Sequence, residues 1–498
     1  MKKFRPYQFD AFAYTMREDS PALFMDMRMG KTLIAVRRIR LYKPRGDNLR
    51  VLVVAPNSAL GAWEDELWSE GEESVIRLAG SRKQRAKQLK DGFRWNLLNR
   101  EGHLALPQVA GVKRCPRCKG KGYRIESPID RERDWVEGPY NQKSTCGKCR
   151  GRKWVKARFP IVQWDAVILD ESVFVKNPKA QVTKFFTVNF RDVPHRWILT
   201  GLPNPEGSLD YVEQMRFLDG VFCGCNSYYQ FRKRYYTALP SHEWWPKKGA
   251  EEKISKAIGS RCFVLRRKDA GMEEEKIYQD RILELPDKLR AAYKKAEEEF
   301  VLEYDGQLKE STIWRMVQYT WLRRMVGGFV GDEYVWKGKV KELVELLTGE
   351  LRKDQVVVWF NFNDELLAAY NVLEKASVNV SHLWGEHPVG WREDVRREFQ
   401  AGKIRVLLLQ QRIAESGMNL SAADTAIYFS EPLGLHARQQ TEDRILDVDS
   451  DRPLLYVHLL VGDSVDIDIR KANKMKERIS DASLSRALFE YMQQRRSA

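Results

Sequence analysis

The chain has 498 residues, 43% of them apolar and 31% charged, which suits a globular protein with two or three cores. No apolar run approaches the roughly 18 residues that a spanning helix needs, and Met1-Lys2-Lys3-Phe4-Arg5-Pro6 opens no signal-peptide core. Membrane and secreted classes are therefore set aside and a cytoplasmic location is expected. Lys and Arg number 85 against 69 Asp and Glu, a formal charge of +16; this suits a polyanion partner such as nucleic acid, although a basic surface alone also produces it.

The first chemical signal along the chain is Met29-Gly30-Lys31-Thr32 ahead of Leu33-Ile34-Ala35-Val36, the start of a helix. Backbone N–H groups at a helix N-terminus cradle phosphate, the Lys31 ammonium reaches the outer phosphates and the Thr32 hydroxyl suits Mg²⁺. Position 25 is Met, so the full GxxxxGK[ST] pattern is missing, and a plain glycine-capped turn also fits. Val51–Ala55, closed by Pro56, reads as a buried strand. From about 100 to 160 Gly, Cys, Arg and Lys dominate and strands are hard to place, which suggests an insertion.

Within it Cys115-Pro116-Arg117-Cys118 and Cys146-Gly147-Lys148-Cys149 form two CxxC pairs. Four thiolates so spaced suit tetrahedral Zn²⁺, and Gly after each pair permits the tight turn; redox or unpaired thiols are the other reading. The CxxCxGxG pattern is similar to the zinc repeats of DnaJ-type chaperones, with one site's worth of cysteines. His103 is not needed as a ligand, and Cys223 and Cys225 are too close for a knuckle. Seven cysteines in all, an odd number, suit a reducing compartment.

Ala166–Leu169 is the next buried strand, and Asp170-Glu171 follows it. A carboxylate at a strand tip beside a phosphate loop is where a Mg²⁺ ligand belongs, and the second acid can deprotonate a water. Taken alone, the dipeptide also fits an acidic turn. Trp197–Leu199 repeats the strand pattern. Residues 205–345 are aromatic, charged and helically periodic, as in Asp287–Leu302; Tyr228–Tyr236 with Trp244-Trp245 reads as core aromatics, with base stacking the rival. Further buried strands follow at Val356–Phe360, Val406–Leu409, Ala426–Phe429 and Leu454–Val457. Continuous apolar strands between helices predict an α/β chain with parallel sheets covered on both faces.

These residues resemble the superfamily 2 helicase-like ATPases, and more closely the Swi/Snf-type DNA translocases, over about 4 to 475 apart from the insertions. Arg5-Pro6-Tyr7-Gln8 resembles the adenine-reading entry motif, with Gln8 as the adenine contact, and Asp26–Thr32 resembles the phosphate loop. Ala55-Pro56 with Trp63 resembles a motif that touches the nucleic-acid backbone. Trp164–Ser172 with Lys176-Asn177-Pro178 resembles the acidic box, and Leu199-Thr200-Gly201-Leu202-Pro203-Asn204 the motif coupling nucleotide state to nucleic acid. Gly417-Met418-Asn419-Leu420 resembles the segment that closes on ATP from the other lobe, and Gln440–Arg444 the arginine-finger motif.

The resemblance implies two RecA-like parallel-sheet lobes around ATP, to which the residue patterns above add a helical insertion and a small zinc-binding insertion. The expected division is 1–285 for the first lobe, holding a zinc knuckle at 100–160 and helices at 205–285. A helical bridge at 286–345 and a second lobe at 346–498 complete it. Lys31, Asp170, Glu171 and Arg444 are the expected catalytic residues. Arg5, Gln8, Met29, Gly30, Lys31, Thr32, Gly417 and Asn419 are expected to bind nucleotide. Thr32 and Asp170 are expected to hold Mg²⁺, and Cys115, Cys118, Cys146 and Cys149 to hold Zn²⁺. The implied activity is ATP hydrolysis coupled to translocation on DNA, sequence-tolerant and expected to be duplex, in replication, recombination or repair.

A strand-separating helicase and a catalytically inactive DNA-binding scaffold are the alternatives. Three departures bear on the last. Val173 stands where the box usually ends in His, Arg28 where Gly is usual, and Asp447 where a second finger Arg is usual. Arg438 is a candidate replacement for that missing cation.

Overall fold

The computed structural model describes residues 3–478 except 45–47, 58, 115–117, 119–120, 122, 127–141, 147, 151, 153, 161, 239–243, 273–274, 300, 305–306, 312–314, 417, 448–449 and 451. Two parallel sheets form its frame. The first contains β1 (Ala22–Met25), β2 (Val51–Ala55), β3 (Val75–Arg77), β4 (Trp95–Asn99), β5 (Ala166–Asp170), β6 (His195–Thr200) and β7 (Phe263–Leu265), in the order β7-β1-β6-β5-β2-β4-β3. The second contains β8 (Lys276–Leu283), β9 (Val356–Phe360), β10 (Val380–Leu383), β11 (Val406–Gln410), β12 (Thr425–Tyr428) and β13 (Leu454–Val461), in the order β8-β13-β12-β9-β11-β10.

The continuous apolar runs have a direct cause. Alternate side chains of one strand feed different cores: Leu52 and Val54 enter one, Val51, Val53 and Ala55 the other. The second lobe repeats the division, with Val357 and Trp359 on one face and Val356, Val358 and Phe360 on the other. A strand buried on both faces has no polar side to show.

Sheet pairing moves the expected boundary at 285. Residues 263–265 return to the first sheet as its edge strand, whereas Lys276–Leu283 pairs along its whole length with Leu454–Val461 in the second sheet. The first lobe therefore ends before β8, and 266–275 is the connector. The region expected as a helical insertion does hold helices Tyr211–Asp219, Tyr228–Tyr235 and Ala250–Arg261, and also a hairpin of Tyr236–Ala238 with Trp244–Pro246. Phe231 and Tyr236 pack into the first core, while Tyr229 and Trp245 are exposed.

The insertion near 100–160, where strands are hard to place from sequence, holds two antiparallel pairs: Gln108–Arg114 with Trp154–Pro160, and Tyr123–Glu126 with Gln142–Thr145. In the bridge, the helix expected to run from Asp287 to Leu302 ends at Glu299 and a hairpin begins at Val301. Glu297, Glu298 and Glu299 stack negative charge at the helix end whose dipole disfavours it, and β-branched Val301 suits the strand that follows. Leu289, Tyr293, Trp321 and Met325 of the bridge pack against Val461, Val465 and Ile469 of the second lobe. Among the described residues no helix is long and apolar enough to cross a membrane.

Candidate nucleotide site at the lobe interface

The phosphate loop joins β1 to helix α2 (Lys31–Ile39), with Gly30 as N-cap in the left-handed region at φ 81°. A Cβ there would overlap Gln8 Nε2, so only Gly lets the entry helix α1 (Pro6–Arg17) close on the loop. Gln8 Nε2 donates to the Met29 carbonyl at 3.1 Å, and its Oε1 accepts from Arg5 N at 2.8 Å. Arg5 and Gln8 thus fix the loop from its N-terminal side. Lys31 Nζ donates to the carbonyls of Met25 (2.8 Å) and Asp26 (3.0 Å), which aims the ammonium at the tip of β1. Arg28 takes φ 61°, a conformation costing an L-residue on the order of 1–3 kcal/mol.

The acids stand two strands over, with β6 between. Trp63 Nε1 donates to Asp170 Oδ2 at 2.8 Å, and the Glu171 N–H donates to Asp170 Oδ1 at 3.0 Å. Burial first, and then the Glu171 charge, push the Asp170 carboxyl up to about 6. Glu171 sits at φ 50°, ψ 53°, and its Oε2 accepts from Thr200 Oγ1 at 3.3 Å. Ser172 Oγ donates to Gln214 Oε1 at 2.7 Å, and Gln214 Nε2 donates to the Pro203 carbonyl at 2.7 Å. The acidic box and the Thr200–Asn204 segment are therefore joined twice, without a side chain from Val173, which is buried.

The second lobe reaches into the same place. A cleft of about 730 Å³ is lined by Arg5, Gln8, Arg28, Gly30, Lys31, Thr32, Asp170 and Glu171 from one side and Asn419, Gln440, Asp443 and Arg444 from the other. Burial lowers the Arg444 guanidinium to about 10, Asp443 opposing the shift and Arg28 adding to it. Arg28 Nη2 donates to Asn419 Oδ1 at 2.9 Å and to the Arg444 carbonyl at 3.2 Å. Behind the cleft Asp26 Oδ2 accepts from the Arg267 N–H at 2.8 Å, and Arg267 pairs with Asp443 at 3.0 Å. Phosphate loop, connector and second lobe are thus linked through one connector residue.

Met29 itself is buried, and only its carbonyl meets Gln8. Gly417 and Cys115 lie outside the described residues. One sequence expectation is corrected. Trp63, in the segment resembling a motif that touches the nucleic-acid backbone, is 1% exposed and faces Asp170, whereas the expectation for Arg438 is the one that fails. Arg438, a candidate cation for the cleft, is buried and bound to Glu442 at 2.8 Å and Glu477 at 3.0 Å. Glu442 is buried, yet Lys276 and Arg438 hold its carboxyl down to about 2, so Arg438 is committed to that ion group. Trp63, Gln214 and Arg267 are the positioning residues that sequence reading missed; only Trp63 lay in a quoted motif, and none carries a local signal of its long-range partner.

In the insertion the Sγ atoms of Cys118, Cys146 and Cys149 lie within 4.8 Å of one another, with Cys118 and Cys149 at 3.6 Å. Bonds of about 2.3 Å to a tetrahedral zinc would set sulfurs roughly 3.8 Å apart. The donor set fits that metal.

A phosphate loop, an adjacent acidic strand end and an arginine from a second parallel-sheet lobe, all on one cleft, define a two-lobed nucleotide-hydrolase architecture. Residues 11–318 match the SNF2-related domain and residues 338–448 the helicase conserved C-terminal domain. The chain belongs to the SNF2-related family of helicase-like ATPases. It is 25% identical over 322 residues to protein p41 of Acyrthosiphon pisum secondary endosymbiont phage 1, covering 58% of this chain and 64% of that protein. It is 25% identical over 147 residues to ATP-dependent helicase fft1 of Schizosaccharomyces pombe (29% of this chain, 16% of that one). Over 144 residues it is 28% identical to chromatin-remodeling ATPase INO80 of Candida glabrata (28% and 10%). The chain thus spans less than two thirds of the phage protein and 16% or less of these two yeast proteins. Among solved structures, the Sulfolobus solfataricus SWI2/SNF2 ATPase core in complex with dsDNA aligns over 98% of this chain and 97% of its own, at 18% identity and a TM-score of 0.41.

Proposed function

We propose that this protein hydrolyses ATP and couples opening and closing of its lobes to movement along DNA, duplex in preference and without sequence readout. The observation that carries the proposal is the single cleft lined by Lys31, Asp170 and Glu171 from one lobe and Arg444 from the other.

In this reading the N-terminal amides of α2 and the Lys31 ammonium bind the β- and γ-phosphates. Glu171 takes a proton from the attacking water while the water oxygen bonds to the γ-phosphorus. The bond from that phosphorus to the β–γ bridging oxygen breaks, releasing ADP and phosphate. Arg444 neutralises charge on the transferring group, and it does so only when the lobes are together. Thr32 and Asp170 would hold Mg²⁺, which supplies further neutralisation of the phosphates. The adjacent Asp170 and Glu171, with the buried Asp170 carboxyl raised to about 6, are a donor set that a divalent cation relieves. Arg5 and Gln8 flank the base end of the site.

Nucleic acid as the partner is supported by the net charge of +16, and by relatives named as an ATP-dependent helicase and a chromatin-remodelling ATPase. Backbone-phosphate contact implies sequence tolerance and strong salt dependence. The phage relative accords with a bacterial or phage-infected cell as the setting, and a role in replication, recombination or repair is carried from the family resemblance alone. Cys118, Cys146 and Cys149, with Cys115 as the fourth thiolate, would hold a structural Zn²⁺ that folds the insertion.

The test is ATP turnover by wild type and Lys31→Ala with duplex DNA, single-stranded DNA and RNA. Turnover that rises with duplex DNA and vanishes in the variant supports the reading. Equal turnover by both proteins overturns it and favours a scaffold. Release of a labelled strand from a fork with ATP would replace translocation by strand separation.

A further inference from the structure

The phosphate loop carries a cation in a backbone conformation that suits Gly better. Arg28 at φ 61° sends its side chain out of its own lobe to Asn419 Oδ1 (2.9 Å) and the Arg444 carbonyl (3.2 Å). Asp443 and Asp447 attract it from that second lobe. Asp443 is also paired with Arg267 at 3.0 Å, and Asp447 adds a second carboxylate to the field around Arg28.

Arg28 and Arg444 also repel one another, and both line the cleft that holds Lys31. Arg444 Nε is buried with no hydrogen-bond partner among the described residues. Three cations converging on one partly desolvated cleft are an arrangement that an oligophosphate neutralises. The second lobe brings one guanidinium there, since three residues beyond Arg444 the chain offers the carboxylate of Asp447.

We propose that Arg28 supplies, from the phosphate loop itself, the second guanidinium at the γ-phosphate, and that Asn419 and Asp447 hold it in place when the lobes close. The inference rests on the ATPase reading above. It gives the strained backbone at position 28 a purpose. It also turns Asp447 from a repulsive group at the phosphate into the anchor of a cation, so that the loop senses the second lobe directly.

The experiment compares Arg28→Gly, Arg28→Lys, Asp447→Arg and the double variant R28G/D447R with wild type and Lys31→Ala in the full chain. Saturating MgATP turnover, binding of a fluorescent ATP analogue and thermal melting are read for each. Gly suits φ 61°, so R28G is expected to melt no lower than wild type. Its kcat is expected to fall about 10²- to 10³-fold, with analogue affinity changed less than about fivefold. R28K keeps the charge without the fork and is expected to retain less than about a tenth of kcat. The double variant, which moves the guanidinium to the other lobe, is expected to recover at least about tenfold over R28G.

A folded R28G within about threefold of wild-type kcat overturns the proposal. So does a loss lying wholly in analogue affinity, or a double variant no faster than R28G. Should R28G fail to fold, R28K at wild-type rate overturns it. Turnover lost in Lys31→Ala but intact in R28G sinks this inference alone, whereas turnover equal in wild type and Lys31→Ala removes the ATPase reading and this one with it.

Discussion

Trp63 holds Asp170. The indole N–H of a helix that begins at Ala59 donates at 2.8 Å to the carboxylate at the tip of β5, fixing the orientation of a group expected to bind Mg²⁺. Trp63→Phe keeps the packing and removes the donor. The expected result is a fall in kcat of about 10-fold or more and a higher Mg²⁺ concentration for half-maximal turnover, since a reoriented ligand weakens metal binding by roughly that factor. Steady-state ATPase assays over a Mg²⁺ series check it, and unchanged half-saturation would show that the indole is only packing.

Thr200 and Glu171 make the shortest route from the candidate base to the Thr200–Asn204 segment, at 3.3 Å. Thr200→Val removes that hydroxyl and leaves the strand side chain the same size. Nucleotide binding is expected to stay within about twofold. Stimulation of turnover by duplex DNA is expected to fall about fivefold or more, because the hydrogen bond is worth on the order of 1 kcal/mol. Turnover with and without DNA, read against analogue binding, separates the two effects.

Arg267 and Asp443 join the connector to the second lobe with both side chains largely buried. A double-mutant cycle of Arg267→Ala and Asp443→Ala, read on kcat/KM for ATP, is expected to show a coupling of about 1–3 kcal/mol. Additive losses would mean that the pair does not set lobe closure.

Glu365 gives a pH prediction away from the cleft. Burial pushes its carboxyl up to about 7, against the hydrogen bond from Ser430 and the charge of Lys339. The native state therefore binds this proton more tightly than the unfolded chain. The stabilisation is complete below about 4.5 and is lost as the pH rises through about 7. Glu365→Gln is expected to stabilise the protein at pH 8 by an amount on the order of 1–3 kcal/mol, read as a higher melting temperature, and to change it little at pH 5. Equal shifts at both pH values would contradict this.

Removal of zinc is the fifth test. Cys146→Ala, or treatment with a strong chelator, is expected to abolish stoichiometric zinc measured by mass spectrometry. The insertion should then become protease-sensitive, because its metal binding is its folding energy. Basal ATP turnover is expected to stay within about threefold, since the cluster lies on a branch carried outside the first sheet by the pair Gln108–Arg114 and Trp154–Pro160.

Much of the frame is decided locally and was legible in the sequence. A run such as Val356–Phe360 is buried along its whole length, and a parallel sheet covered on both faces accepts it. Gly30-Lys31-Thr32 and Asp170-Glu171 declare their chemistry by residue type and by position at strand ends. The cysteine spacing suggests a metal, and the fold gathers three of those thiols, Cys118, Cys146 and Cys149. What fails locally is pairing across distance. Nothing within Lys276–Leu283 says that its partner is Leu454–Val461 rather than the sheet just completed, so the lobe boundary moved.

The tertiary structure alone decided which charges meet. Arg438 is a cation in the right motif, yet Glu442 and Glu477 claim it; Arg28 is a cation in an unexpected loop position, yet it crosses to Asn419. Sequence fixes the inventory of charged groups, because chemistry belongs to the residue. Folding fixes their assignments, because a Coulomb interaction depends on separation and on how much water remains between the partners.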